Sequence, residues 1–345
     1  MLNKSLSALI IGSAVIFATA SSAQKVTDIP WGTSAVGSTG HKALVTLATV
    51  LNREMKDYRI TVQPTPGAIV TVKGYATGQQ FLGYYGADVA FQELATDTAR
   101  FKGFKAQMKR QPVQSFWTYT IETGVGILAS NRDKIKQWRD LNGKRVFTGR
   151  PPWDVRAHLE RAFAALGVKH EYVPVDLATT GSLLQSGRLD GIIIYTAGLS
   201  APAPWITEAG LAADWAALNP SAEEVAILTK AGFSFLEAQP APFKRDIHAK
   251  SIMVSPFYYG FHVGMEVPAD DVYRMLTTIE KNAAELVAAD KSFSQIKDNM
   301  ADMQRRGVAA SIDYVPVHPG LAKYMRERKV WDSKWDNRIA TAKTN

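Results

Sequence analysis

Residues 187–195 read Gly187-Arg188-Leu189-Asp190-Gly191-Ile192-Ile193-Ile194-Tyr195. A polar glycine turn opens onto an unbroken apolar run. Short runs of this kind, rich in β-branched residues and bounded by turn residues, read as strands buried on both faces, the type found in parallel sheets. Gly86-Ala87-Asp88-Val89-Ala90-Phe91 has the same character, a turn followed by a buried strand. The residues leading to each run follow one order. Before Gly86 come an apolar run (Val26 to Trp31), a small-residue loop (Gly32 to Gly40) and a helical face made by Leu44, Leu47, Val50 and Leu51. An alternating strand (Tyr58 to Gln63), a turn (Pro64 to Gly67) and a second helical stretch complete that half. Before Gly187 come a strand-like run (Gly124 to Ser130), a turn and strand (Leu141 to Phe147) and the loop Gly149 to Asp154. Next is a helix with Val155, Leu159, Ala162, Phe163 and Leu166 on one face, closed by Gly167, and then a short strand at Val173 to Val175. Strand–helix alternation implies parallel strands joined by crossover helices. Two such series predict two similar α/β lobes.

The chain then returns. Met253 to Val263 reads as a strand. A helix started by Pro268 carries Val272, Met275, Leu276, Ile279, Leu286 and Val287 on its face, and a last helix starts at His318-Pro319-Gly320. Lobe one is therefore expected from residues 24–123 together with 253–345, and lobe two from residues 124–252.

Composition narrows the function. The 345 residues contain 46% hydrophobic and 21% charged residues, which excludes disorder as the dominant state. There is no cysteine, which removes disulfide scaffolds, thiolate metal sites, iron–sulfur clusters and thiol nucleophiles. The net charge is +8, but the basic residues are scattered and not interleaved with stacking aromatics, so nucleic-acid binding is not expected. Residues 1–23 combine Lys4, an apolar run from Leu6 to Ala20 and the small-residue site Ser21-Ser22-Ala23. That is the pattern of a cleaved secretory signal peptide, with Gln24 as the new N-terminus and a periplasmic product. A lipoprotein anchor would need a cysteine at the cut.

Five segments in order resemble the TAXI group of solute-binding proteins, receptors of one branch of TRAP transporters. They are Gly32 to Thr39, Gly86 to Gln92, Leu141 to Val146, Gly187 to Tyr195 and His318 to Tyr324. The resemblance implies a two-lobed periplasmic binding protein of the Venus-flytrap type, with a ligand cleft between the lobes. It implies a monomer that delivers a small solute to TRAP membrane permease subunits, with no catalytic residues, metal or cofactor. Three loops depart from the family pattern. Gly40-His41 stands where a tyrosine pair is usual, Gly67-Ala68 lacks a hydroxyl, and Arg150-Pro151-Pro152-Trp153-Asp154 replaces a small-residue loop. These are the loops expected to touch ligand, so their departures weaken any transfer of the family's amino-acid and dicarboxylate ligands.

Three helices are expected to begin near residues 33–41, 67–70 and 152–156. Free amides and the helix dipole make convergent N-termini an anion site. The expected ligand residues are Ser34, Val36, Ser38, Thr39, Gly67, Ala68, Gln92, Arg150, Trp153, Asp154, Tyr195 and Thr196. The serines and Thr39 either add hydroxyls to the ligand or merely cap the first helix. Arg150 or Arg156 either pairs with a ligand carboxylate or lies on the surface, and Trp153 either stacks on a flat acid or packs in the core. Tyr258 and Tyr259 are expected in the core. An enzyme reading, a periplasmic hydrolase or isomerase, stays open. No H-E-x-x-H or G-x-S-x-G occurs, and Gly40 is not followed by Lys-Ser/Thr as in a P-loop, but a dispersed Ser–His–Asp triad has no sequence signature. A ligand-presenting subunit of a sensor is the third reading.

Overall fold

A computed structural model describes residues 26–78 and 81–341. Residues 1–23, read above as an export signal, and Gln24 lie outside them. In the first half β1 (Thr27–Thr33), α1 (Thr39–Glu54), β2 (Tyr58–Pro64), α2 (Ala68–Ala76), β3 (Gly83–Ala87) and α3 (Asp88–Thr96) alternate. β1 pairs in parallel with β2, Ile29 opposite Ile60, and with β3 at Trp31 and Gly83. A long strand, β4 (Trp117–Leu128), leads into the second series: β5 (Arg145–Phe147), α4 (Asp154–Leu166), β6 (Glu171–Tyr172), α5 (Thr180–Gln185) and β7 (Gly191–Ala197). β5 is parallel to both β6 and β7. The short elements β8 (Ala201–Pro202), α6 (Pro204–Ala212), β9 (Trp215–Leu218), α7 (Ala222–Lys230) and β10 (Leu236–Ala238) follow. A second long strand, β11 (Ile252–Val263), returns the chain to α8 (Ala269–Lys281), α9 (Ala283–Ala289), α10 (Ser294–Ser311) and α11 (Pro319–Glu327).

The strand order is β2-β1-β3-β11-β4-β7-β5-β6. Two parallel groups thus flank a central antiparallel pair, β11 and β4, in which Tyr259 faces Tyr119. All seven residues of β7 and all five of β3 are buried, as the apolar runs require. The C-terminal helices pack back on the first group and the central pair, α8 against α1 and α10 against β4.

Four boundaries differ from the sequence reading, each for a local reason. Residues 88–91 are helix, not strand. The strand ends at Ala87, and Asp88 opens α3, its Oδ1 accepting from the Val89 amide at 2.6 Å. β4 begins at Trp117 rather than Gly124, because Thr118, Thr120 and Glu122 are buried although polar, which hides the first half of the strand. The expected lobe boundary at 123/124 therefore falls inside one continuous strand. β6 lies at Glu171–Tyr172, ahead of Val173 to Val175, where Pro174 cannot donate to a ladder. The helix from Pro268 stops at Asn282, whose side chain donates to the Thr278 carbonyl at 2.9 Å, and α9 starts afresh.

Candidate ligand cleft

Ser38 caps α1, its Oγ accepting from the His41 amide at 3.3 Å and lying 2.6 Å from Ser34 Oγ. Thr39 follows at the first helical position; its Oγ1 is buried and has no hydrogen-bond partner. α2 starts after Gly67 with no side-chain cap. Neither helix carries an acidic residue in its first turn, so both N-termini keep their partial positive charge uncompensated. α4 differs: Trp153 stands at its N-cap position and Asp154 in its first turn supplies an anion of its own.

These three helix starts meet at one cavity. Its walls are Ser34, Ser38, Thr39, Gly40 and Ala68 from the first series, Trp153, Asp154, Val155 and Tyr195 from the second, and Tyr85, Ile121 and Tyr259 from the strands at its floor. The free space in it is about 30 Å³, room for about two waters. Any larger solute requires the two sides to part. Tyr85 stacks on Tyr259 at 4.3 Å between ring centroids, and its hydroxyl lies 2.8 Å from that of Tyr119. Burial pushes the Tyr85 and Tyr259 phenols well above their ordinary range, so both remain hydroxyls. Gly40 is required here, since a Cβ would sit 2.4 Å from the Tyr85 ring.

Three contacts bridge the cavity's two sides. The Trp153 indole donates to the Pro66 carbonyl at 3.1 Å, and the Tyr259 hydroxyl donates to Asp154 Oδ2. Arg100, in the segment after α3, brings Nη1 within 2.6 Å of Asp154 Oδ1, out of line for a hydrogen bond. Its Nε and Nη2 donate to Glu93 at 2.8 and 3.0 Å. Burial opposes the charge on Arg100, but Asp154 and Glu93 outweigh it and hold the guanidinium protonated.

The structure brings together seven of the expected residues: Ser34, Ser38, Thr39, Ala68, Trp153, Asp154 and Tyr195. Gly67 stands just outside, packed against Pro152. Four are placed elsewhere. Val36 is 68% exposed. Gln92 lies on α3, because the strand expected to end there is a helix. Arg150 lies over the Trp153 ring at 5.9 Å and 3.9 Å from Asp176 at the surface. Thr196 faces away and donates to the buried Glu122 at 2.6 Å. Arg156 is engaged by Glu160 and Tyr172. Tyr259 is buried in the core as expected and also lines the cavity. Tyr85 was not singled out and Arg100 counted only among the scattered basic residues; their neighbours in space, distant in sequence, mark them.

A serine–histidine contact does occur, His158 Nε2 to Ser255 Oγ at 2.8 Å. It is packed between Phe233 and Phe257, and neither residue lines the cavity. The His158 Nδ1 has no partner, so no carboxylate completes a triad, and burial pushes the imidazole down to about 3, too weak a base for acyl transfer near neutral pH.

Two parallel α/β groups, joined through two long antiparallel strands and sharing a cavity at helix N-termini, define a two-lobed α/β binding-protein fold. The chain belongs to the NMT1-like family, whose model matches residues 31–328. Among curated proteins none matches the chain in sequence. Solved structures similar to it include a protein of Bordetella bronchiseptica RB50 (13% identity, 92% of this chain and 95% of that one, TM-score 0.46). Another is the periplasmic aliphatic sulphonate binding protein SsuA of Escherichia coli (13% identity, 91% and 97%, TM-score 0.44). A third is a putative L-cystine ABC transporter protein of Listeria monocytogenes (13% identity, 84% and 98%, TM-score 0.38). Among the described residues no helix is long and apolar enough to cross a membrane.

Proposed function

We propose that the protein is a periplasmic receptor that captures a small carboxylate in this cleft and hands it to a membrane permease of the TRAP type. The observation that carries the reading is the pair of lobe-one helix starts, α1 and α2. Both lack a first-turn acid, and the buried, unpartnered Thr39 hydroxyl stands beside them at the cavity. Amides and a hydroxyl without a resident acceptor suit an oxyanion. Lobe one takes residues 24–123 and 253–345, lobe two residues 124–252, and the hinge lies where β4 and β11 run from one to the other. Removal of residues 1–23 on export leaves Gln24 first. The lobes part to admit the acid, close over it, and present the joined surface to the permease. No residue of the cleft performs chemistry.

A thermal-shift screen of carboxylates, amino acids and neutral solutes tests the reading. A ligand at 100 times its dissociation constant adds about 2.7 kcal/mol of stability. At least one acid is expected to shift the native chain, and the shift should shrink in Thr39→Val. Stabilisation by neutral solutes alone would contradict it.

A further inference from the structure

We infer that Asp154 serves as a built-in second carboxylate, so that the cleft selects monocarboxylates and excludes dicarboxylates. The inference rests on the carboxylate reading above and deepens it. Among the described residues that line the cavity, Asp154 is the one with a formal charge, and its side chain is fully buried. It already holds what a ligand's second carboxylate would need. Tyr259 donates its hydroxyl to one oxygen, Arg100 stands against the other, and the α4 N-terminus lies behind both. Arg100 is further committed to Glu93 through two hydrogen bonds, so one guanidinium serves two carboxylates and has no charge to spare for a third.

The cavity is therefore asymmetric. At the lobe-one end the α1 and α2 starts, Ser38 and Thr39 offer donors without an anion. At the lobe-two end an anion is fixed in place. Between them the walls are Tyr85, Ile121, Val155, Tyr195 and Tyr259. An acid seated with its carboxylate at α1 must point its far end at Asp154. An apolar or aromatic end is tolerated there, whereas a second carboxylate meets the like charge of a buried Asp154, the arrangement by which sites reject a competitor.

Calorimetry on the native chain with matched pairs tests this: hexanoate against adipate, and 3-phenylpropionate against 3-(4-carboxyphenyl)propionate. A monoacid is expected to bind at least about tenfold more tightly than its dianionic counterpart. Asp154→Asn keeps an acceptor for Tyr259 and leaves Arg100 paired with Glu93, and it should narrow that ratio severalfold. A dianion that binds the native chain as tightly as its monoacid overturns the inference and leaves the carboxylate reading standing. So does a ratio unchanged in Asp154→Asn. If none of the four acids binds, both the inference and the reading beneath it fail. The native-chain comparison decides even if the variant does not fold.

Discussion

Trp153 is buried, lines the cleft and donates across it to Pro66. Its loss removes both an aromatic wall and a bridge between the lobes. Trp153→Ala should weaken an aromatic acid by about 1 kcal/mol or more, read by calorimetry; unchanged affinity would make it a packing residue only. Glu122 is a different kind of residue, a carboxyl buried on β4 that accepts from Thr120, Thr196 and the Leu199 amide, with no hydrogen bond from a cation. Burial raises it to about 7 from 4.5, against the pull of those donors. A carboxyl raised in the fold contributes stability while protonated, fully below its unfolded value, and loses that contribution as pH climbs through the folded value. Glu122→Gln mimics the protonated form. Relative to the native chain, the variant should therefore gain up to about 3 kcal/mol between pH 4.5 and 7 in denaturant unfolding. His158 and His262, pushed down to about 3, and His318, to about 4, work in the opposite sense, but they cancel in that difference. A difference independent of pH would show that burial does not govern Glu122.

At the scale of elements, β4 depends on α10 for its start. The buried Gln304 side chain accepts from the Trp117 amide and donates to the Trp117 carbonyl, both at 2.7 Å. Gln304→Ala leaves that peptide pair buried and unsatisfied, and should cost about 3 kcal/mol in thermal unfolding. A loss under about 0.5 kcal/mol, the range of ordinary surface changes, would mean that water replaces the side chain. Elements of this kind also mark where the sequence was legible. β2, β7 and β11 and the starts of α1, α2 and α4 could be read, because strand alternation, apolar runs and turn residues are local signals. Gln92 was misplaced because a buried strand and a buried helix start share the same apolar run, and the switch at Asp88 turns on one hydrogen bond. Tyr259 was read as core, which it is, but its place on the cavity wall was not legible, because period two says that neighbours alternate and not which of them faces the cleft. Arg100 reads in the sequence only as one of the scattered basic residues: it follows α3, and its importance comes from Asp154, which only the folded chain brings near.

Across the whole molecule, α2 meets the Pro152 loop at Gly67, the contact on which the proposed closure depends. A Cβ on Gly67 would lie 2.8 Å from the Pro152 carbonyl oxygen, although Gly67 itself is in extended backbone that any residue adopts. Gly67→Ala should thus leave each lobe folded, with an unchanged melting temperature in the ligand-free protein, while holding the lobes apart and weakening ligand binding about tenfold or more. Unaltered affinity would show that the Pro152 loop gives way.

The central claim is that a small acid enters between two lobes and draws them together. The chain has no cysteine, so two can be introduced for labelling, at the exposed Val45 on α1 and Leu211 on α6. The distance between these labels, followed by resonance energy transfer while a monocarboxylate is titrated, is the direct measurement. The account predicts that the distance shortens as the acid saturates the cleft and that Gly67→Ala abolishes the change. An acid that binds with calorimetric saturation while the distance stays constant would contradict it.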